Sequence, residues 1–215
     1  MSDFLVEIGT EELPPTALLK LSTSFTAHIK SGVEAEELNF SGIESYATPR
    51  RLAVVISGID TKTPEKEITA WGPPKKIAFD DEGKPTKAAE AFAKKNGVNI
   101  DDIQVENDGK ADKLVYRSTK AGKAATELMP AIVQNALDKL PIAKRMRWGA
   151  NRIEFVRPAQ WIVMMLDEQV IDCEILGFKS GNITRGHRFH CDTTLDIANP
   201  STYASLLETS GHIVP

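Results

Sequence analysis

The most chemically distinctive stretch of the sequence lies between Lys144 and Val163. Five basic residues fall within fourteen positions there, against one acidic residue: Lys144, Arg145, Arg147, Arg152 and Arg157. In an extended chain Arg145 and Arg147 would point one way, and Met146 and Trp148 the other. Arginine suits phosphate because its planar fork binds two oxygens at once. The stretch predicts a cationic face on an apolar anchor, with a solvated basic edge beside core tryptophans as the alternative.

Two further pairs of arginines have neighbours that suit anion contact. Arg50 and Arg51 stand at the start of a predicted strand that is rich in β-branched residues. Arg185 and Arg188 lie in the segment TRGHRFHC, among two histidines. For the first pair the alternative is a solvated strand end, and in the second segment the alternative for each histidine is a satisfied structural role.

The same TRGHRFHC segment is the best metal candidate in the chain. His187, His190 and Cys191 are ligands by type, and their spacing would suit one face of a helix. Gly186 and Phe189 favour a strand or loop instead, so the segment indicates anion contact rather than zinc. No metal site and no catalytic residue is predicted. The chain also contains no GxxxxGK[ST], GxGxxG or GxSxG motif.

Composition sets the broad class of protein. The chain has 215 residues, of which 41% are hydrophobic and 26% charged, with a net charge of −4. This is typical of a soluble globular protein. Residues 1–48 hold eight acids and two bases, a net charge of −6, so an anionic partner is expected to meet the middle and later chain.

Localisation is predicted from what the sequence contains. No run of eighteen apolar residues is present, which predicts no membrane span. The start MSDFLVEIG is acidic and unlike a signal peptide. Cys173 and Cys191 without metal-type spacing suit a reducing cytoplasm. The end at GHIVP favours a longer parent protein.

Hydrophobic patterns predict an α+β protein. Strands are expected at 4–9, 42–46, within 47–59, at 113–119, 161–166 and 170–178, the last two as a hairpin. Helices are expected from Pro15 to about residue 30 or beyond, at 86–96 with a Gly97 end, at about 124–140, and from an Asn199 cap. Pro130 must lie in a first turn or kink its helix.

The same patterns predict three portions of chain. These are a first α/β portion at 1–64, a small inserted or appended helical subdomain at 65–118, and a second α/β portion at 119–215 that packs with the first. In the middle portion, Trp71-Gly-Pro-Pro is predicted to be a rigid turn.

Seven motifs in order resemble one family. They are FLVEIGTEELPP, ATPRRLAV, WGPP, AAEAFAKKNGV, KRMRWG, FVRPAQWIV and SGNITRGHRFH. Together they cover essentially the whole chain and resemble the β subunit of bacterial tetrameric glycyl-tRNA synthetase. The sequence departs from the family pattern at Gln160, a position where a basic residue is expected as often as not.

The resemblance carries several expectations. It implies that this chain is the N-terminal portion of a β subunit several hundred residues longer, which supports tRNA recognition and charging. It implies a cytoplasmic α2β2 assembly in which ATP and magnesium bind at the α subunit, so no cofactor is expected in this chain. It also implies mixed or antiparallel sheets with packed helices, similar to the B3/B4 region of the phenylalanyl enzyme's β subunit.

Combining the charge pattern with this resemblance gives a set of candidate residues for RNA binding or for a subunit interface. The set is Arg50, Arg51, Lys144, Arg145, Arg147, Trp148, Arg157, Arg185 and Arg188. Two alternatives remain open from the sequence. The arginines could determine the fold, with Arg157 and Arg188 paired to buried acids, or they could face a partner protein without RNA contact.

Overall fold

In the computed structural model, two compact units are present. The structure describes residues 1–80, 83–107, 109, 111–149 and 152–214. One unit comprises Met1–Thr63 and Lys123–Pro215, and the other comprises Pro64–Gly122. The second unit therefore interrupts the chain of the first.

The elements below are numbered in chain order within the described residues. The strands are β1 (Ser2–Thr10), β2 (Gly42–Thr48), β3 (Arg51–Ile59), β4 (Lys66–Pro74), β5 (Gln104–Asn107), β6 (Asp112–Lys120), β7 (Met146–Arg147), β8 (Glu154–Phe155), β9 (Ala159–Leu166), β10 (Gln169–Val170), β11 (Glu174–Ile175), β12 (Phe178–Gly181), β13 (Ile183–Arg185) and β14 (Thr194–Asp196). The helices are α1 (Pro15–Ala35), α2 (Lys75–Ala78), α3 (Lys87–Asn96), α4 (Ala125–Asp138) and α5 (Tyr203–Thr209), with single 3-10 turns at Ile100–Asp102 and Pro200–Thr202.

A mixed sheet organises the larger unit. Its strand order is β11-β12-β9-β1-β3-β2, and β10 also pairs with β9. The β12–β9 pair is parallel, and the other pairs are antiparallel. β1, β3 and β9 are buried on both faces, which explains why they appear in the sequence as nearly continuous apolar runs. These features confirm the predicted α+β class.

One face of this sheet carries the larger apolar core. Alternate residues of β1, among them Val6 and Ile8, join a single cluster with α1 and α4. Pro15 opens α1 at a position that needs no amide hydrogen, as predicted. Four residues spaced one turn apart then bury the inner side of the helix: Leu21, Phe25, Ile29 and Val33.

The opposite face carries a smaller cluster. Leu5, Val163 and Trp161 meet the segment that contains Tyr203 and Leu207. Asn199 caps that segment, because its side chain accepts a hydrogen bond from the Ser201 amide. The cap was predicted, and it places Tyr203 at the start of α5.

The second unit, Pro64–Gly122, contains a three-stranded antiparallel sheet as well as helices. Its strand order is β4-β6-β5, and its small core is formed by Ala78, Ala89 and Leu114. The prediction named a small helical subdomain with a strand at 113–119, and the structure adds β4 and β5 to that strand. Gly97 ends α3 in the left-handed conformation, with φ of 68°, as predicted.

Two local predictions were wrong for physical reasons. Trp71-Gly-Pro-Pro belongs to β4 rather than to a turn, because β4 is an edge strand where a missing amide hydrogen is tolerated. The predicted strand 170–178 is broken by a turn at Leu176 and Gly177, whose φ values are 51° and 80°. Of the two alternatives for Pro130, the first-turn position is excluded, because α4 begins at Ala125 and Pro130 lies inside the helix.

The contact between β1 and β9 depends on Gly9. A Cβ on Gly9 would lie 2.0 Å from Cε2 of Trp161, so we expect Gly9→Ala to lower the free energy of unfolding by about 1–3 kcal/mol. A Cβ on Gly42 in β2 would meet nothing within 4 Å, so Gly42→Ala should stay within about 0.5 kcal/mol of the parent. Urea unfolding of both variants measures this, and equal midpoints would contradict the steric argument.

Candidate functional site

A buried carboxylate lies at the centre of the smaller core. Glu7 of β1 is 0% exposed and accepts four hydrogen bonds. The Trp161 indole and the Thr184 hydroxyl donate to Oε1, the latter over 2.6 Å. The Arg51 guanidinium donates to Oε2 over 3.2 Å, and the Tyr203 hydroxyl donates to the same oxygen. The buried carboxylate is thus stabilised by hydrogen bonds and by one ion pair within the protein.

Arg51 is the cationic partner of Glu7. Only 1% of Arg51 is exposed. Its Nη2 donates to the Arg185 carbonyl over 2.5 Å, and its guanidinium lies 5.9 Å from the Trp161 ring centroid. The structure therefore places this predicted anion-facing residue in the core, where its charge is balanced by Glu7.

Tyr203 completes the network from α5. Burial raises the pKa of its hydroxyl well above 10, and the charge of Glu7 raises it further. Sequence reasoning had counted Glu7 only as part of an acidic start, and it did not consider Tyr203. The missed signal was a glutamate inside the apolar strand FLVEIG, since a charged residue in a buried strand requires partners.

A cleft opens beside this network. Its volume is about 410 Å³. Its walls come from the β2–β3 turn, the loop after β13 and the segment after α5, and they include Thr48, Pro49, Arg50, Arg51, Trp161, Gly186, His187, Arg188, Phe189, His212, Ile213 and Val214, together with Glu12. We call this the cleft.

Exposed aromatic and basic groups stand together at one side of the cleft. Phe189 is 77% exposed, and the Arg188 guanidinium lies 5.6 Å from its ring centroid. His187 and His190 stack with their centroids 4.5 Å apart. Arg188 also lies 3.9 Å from Glu12, and both side chains are mostly exposed.

The remaining arginines near the cleft occupy different settings. The exposed Arg185 lies over Trp161, 5.2 Å from the ring centroid. Arg50 is half-buried, and its Nε has no hydrogen-bond acceptor among the described residues. The cleft thus has a fixed floor and cationic walls.

The basic stretch forms a small exposed ribbon, β7–β8. Met146 pairs with Phe155, and Arg147 pairs with Glu154. Arg147 and Glu154 form a 2.9 Å ion pair in which both side chains are largely exposed. Exposed pairs of this kind contribute little to stability, so Arg147 can exchange its partner.

The other residues of the basic stretch surround this ribbon. Lys144, Arg145 and Arg152 are exposed, and Arg145 donates to the Asp138 carbonyl over 3.1 Å. Of the predicted apolar anchor, Trp148 is partly buried against the larger core, whereas Met146 is exposed. Ala150 and Asn151 lie outside the described residues.

Arg157 connects the ribbon to the surface around Glu12. Its Nε donates to the Glu12 carbonyl over 3.0 Å, and its Nη1 donates to the Met146 sulfur over 2.8 Å. Arg157 and Arg188 line the same open groove, and Arg188 also lines the cleft. The alternative in which both arginines pair with buried acids does not fit, because Glu12 is exposed.

The unusual Gln160 has a local explanation. Its side-chain amide donates to the Glu11 carboxylate over 3.0 Å. Elsewhere, no group of three metal-ligating side chains is found in the part of the chain that the structure describes. Among the same residues, no helix is both long enough and apolar enough to cross a membrane.

Comparison with known proteins places the chain in a family. A family model described as "Glycyl-tRNA synthetase beta subunit" matches residues 4–215. The chain belongs to this family. This confirms the resemblance inferred from the seven motifs.

Curated relatives agree with this assignment. The glycine–tRNA ligase beta subunit of Hahella chejuensis is 50% identical over 212 residues, 99% of this chain and 31% of the relative. Those of Pseudomonas fluorescens (strain Pf0-1) and Stutzerimonas stutzeri are 50% and 48% identical, over 97% and 99% of this chain and 30% of each relative. The chain thus spans about 30% of the length of these relatives.

The Glu7 network gives a stability prediction. Glu7→Gln removes the charge that balances Arg51 and places an amide donor among four donors, so we expect it to lower the free energy of unfolding by about 3–5 kcal/mol. Glu34 is 55% exposed in a surface ion pair, so Glu34→Gln should change it by less than about 1 kcal/mol. Chemical denaturation measures both. A Glu7→Gln effect as small as that of Glu34→Gln would show that the network is not needed.

The raised pKa of Tyr203 gives a pH prediction. Above pH 10 the unfolded chain loses the tyrosine proton before the folded chain does, so stability should fall as pH rises, by up to about 1.4 kcal/mol per pH unit. Tyr203→Phe should lose part of this alkaline slope, while at pH 8 it should be about 1–3 kcal/mol less stable than the parent.

Urea unfolding at pH 8, 10 and 11 measures the alkaline slope. Tyr46, whose pKa burial and Glu44 raise to about 12, should keep a residual slope in the variant. An unchanged slope in Tyr203→Phe would refute the assignment to Tyr203.

Proposed function

We propose that this chain is the tRNA-contacting N-terminal portion of a glycine–tRNA ligase beta subunit. The observation that carries the proposal is a group of arginines at the surface of the larger unit, between the β7–β8 ribbon and the cleft. Arg157 bonds Met146, the neighbour of Arg147 in β7, and lines one groove with Arg188, and Arg188 lines the cleft together with Arg50. We call these four arginines, with Arg145, the arginine track.

The arginine track suits an RNA backbone, although the net charge of the whole chain is −4. Arg145, Arg147 and Arg188 are exposed, and the internal bonds they make are to carbonyls or to exposed carboxylates. Such bonds are weak enough to be exchanged for phosphate contacts, which are charge-assisted and bidentate. Arg51 is left out of the track because it is buried.

The proposal also assigns different steps of the reaction to the two subunits. Glycine activation with ATP and magnesium belongs to a partner alpha subunit in a cytoplasmic α2β2 assembly, and tRNA-Gly is the RNA that this chain helps to hold. The family relationship supports this assignment of steps to the two subunits. This chain would then be inactive by itself in adenylation.

A second candidate function is a scaffold for the partner subunit without RNA contact. It is favoured by the exposed Phe189 and Met146, which are 77% and 38% exposed beside arginines. Aromatic residues and arginines are frequent anchors in protein interfaces. A desolvated protein interface should respond much less to salt than a phosphate interface does.

Salt dependence tests the proposal. In the complete beta subunit assembled with its alpha subunit, Arg145→Gln/Arg147→Gln removes two phosphate contacts, so the slope of log K against log salt for tRNA-Gly should become shallower by about two. Between 50 and 200 mM salt the parent should then lose about tenfold more affinity than the variant. Fluorescence anisotropy of labelled tRNA measures both slopes.

A matched control is available on α1. Lys20→Gln/Lys30→Gln removes the same charge from exposed residues and also breaks one surface ion pair, between Lys30 and Glu34. It should leave the slope unchanged. If the arginine variant behaves like this control, the track does not contact RNA. If it instead releases the alpha subunit, the scaffold function is correct.

A further inference from the structure

We propose that the cleft binds one unpaired nucleotide of an RNA, with the base on Phe189 and the phosphate between Arg188 and Arg50. This inference rests on the proposed function, because it names the part of the RNA that the arginine track leads to. It adds a ligand class and a binding mode that backbone contacts alone do not require.

The size of the cleft favours a single nucleotide. Its volume of about 410 Å³ lies at the lower end of the range for small-molecule sites, about 300–1,000 Å³. A double helix presents its phosphates on a broad surface and hides the faces of its bases. Only an unpaired nucleotide can place a base inside a cleft of this size.

Phe189 provides the surface for the base. Its ring is 77% exposed, so it contributes little to the core. Successive bases of single-stranded nucleic acids stack on such aromatic side chains, and a neighbouring arginine strengthens the stack. Arg188 is that neighbour, with its guanidinium 5.6 Å from the ring centroid.

Arg188 and Arg50 provide the charge for the phosphate. The 3.9 Å separation of Arg188 and Glu12 is longer than a hydrogen bond, and both side chains are mostly exposed, so the Arg188 fork can turn toward a ligand. Arg50 has a buried Nε without an acceptor in the described part of the chain. Arg50 lines the cleft, so its half-buried guanidinium is placed to form charge-assisted bonds with an entering phosphate.

The floor of the cleft is held in place before any ligand arrives. Trp161 and Arg51 both line the cleft, and both are bound to the Glu7 carboxylate. A site that is already ordered loses less conformational entropy on binding.

Binding of a fluorescein-labelled RNA trinucleotide to the complete alpha–beta enzyme tests the inference. Phe189→Ala should weaken binding about five- to hundredfold, as loss of one base–aromatic stack does, with an unchanged salt slope. Arg188→Gln should also weaken binding and reduce the slope by about one. Leu19→Ala and Lys20→Gln are the controls, because Leu19 is 80% exposed and Lys20 is exposed on α1. Both controls should bind as the parent does.

Competition by unlabelled ligands identifies the source of the nucleotide. A trinucleotide should compete well, and a short RNA duplex should compete poorly. AMP should compete less well than the trinucleotide, because it lacks the flanking phosphates that the arginine track would contact. Equal competition by the duplex, or parent-like binding by Phe189→Ala, would overturn the inference. Equal competition by AMP would show a site for free nucleotides instead.

The two proposals fail separately. Suppose that the Phe189 and Arg188 variants bind the trinucleotide as the parent does, while the Arg145/Arg147 variant shows the expected shallower salt slope for tRNA-Gly. Only the assignment of the cleft is then refuted. If the reverse is found, the cleft binds nucleotides and the ribbon does not contact tRNA.

Discussion

The ion pair between Glu7 and Arg51 is the interaction on which the rest of this unit depends. It joins the central strand β1 to β3, and through Thr184, Trp161 and Tyr203 it reaches three more segments of chain. A buried carboxylate is unfavourable unless it is well bonded. This requirement fixes the positions of the donors, and the donors in turn form the floor of the cleft.

The same requirement divides the arginines into two groups that the sequence does not distinguish. Arg50 and Arg51 are adjacent and both line the cleft, yet Arg50 is half-buried whereas Arg51 is buried against Glu7. Arg50 lies in the turn before β3, and Arg51 is the first residue of β3 and pairs with Gly9 and Thr48, so the two basic residues do not share one environment. A cluster of basic residues in the sequence predicts that a surface binds anions, but it does not predict which of the residues are at that surface.

Local rules explain most of what the sequence predicts correctly about the fold. Pro15, Gly97 and Asn199 mark helix boundaries through hydrogen bonding and backbone conformation that are set within a few residues. The interruption at Leu176 is a two-residue turn between β11 and β12, which the alternating apolar pattern concealed. The sheet position of the Trp71 segment depends on Val115, far along the chain. The bonds from Glu7 to Thr184 and to Tyr203 are of that kind too, with sequence separations of 177 and 196, and no periodicity could have found them.

The central position of β1 also has a consequence for synthesis of the protein. β1 is synthesised before its neighbour β9, which begins at Ala159, after the whole second unit has been made. At about 5–20 residues per second this wait lasts on the order of ten seconds. During that time FLVEIG is an apolar strand without its full set of partners, and the charge of Glu7 in the middle of it opposes aggregation between nascent chains.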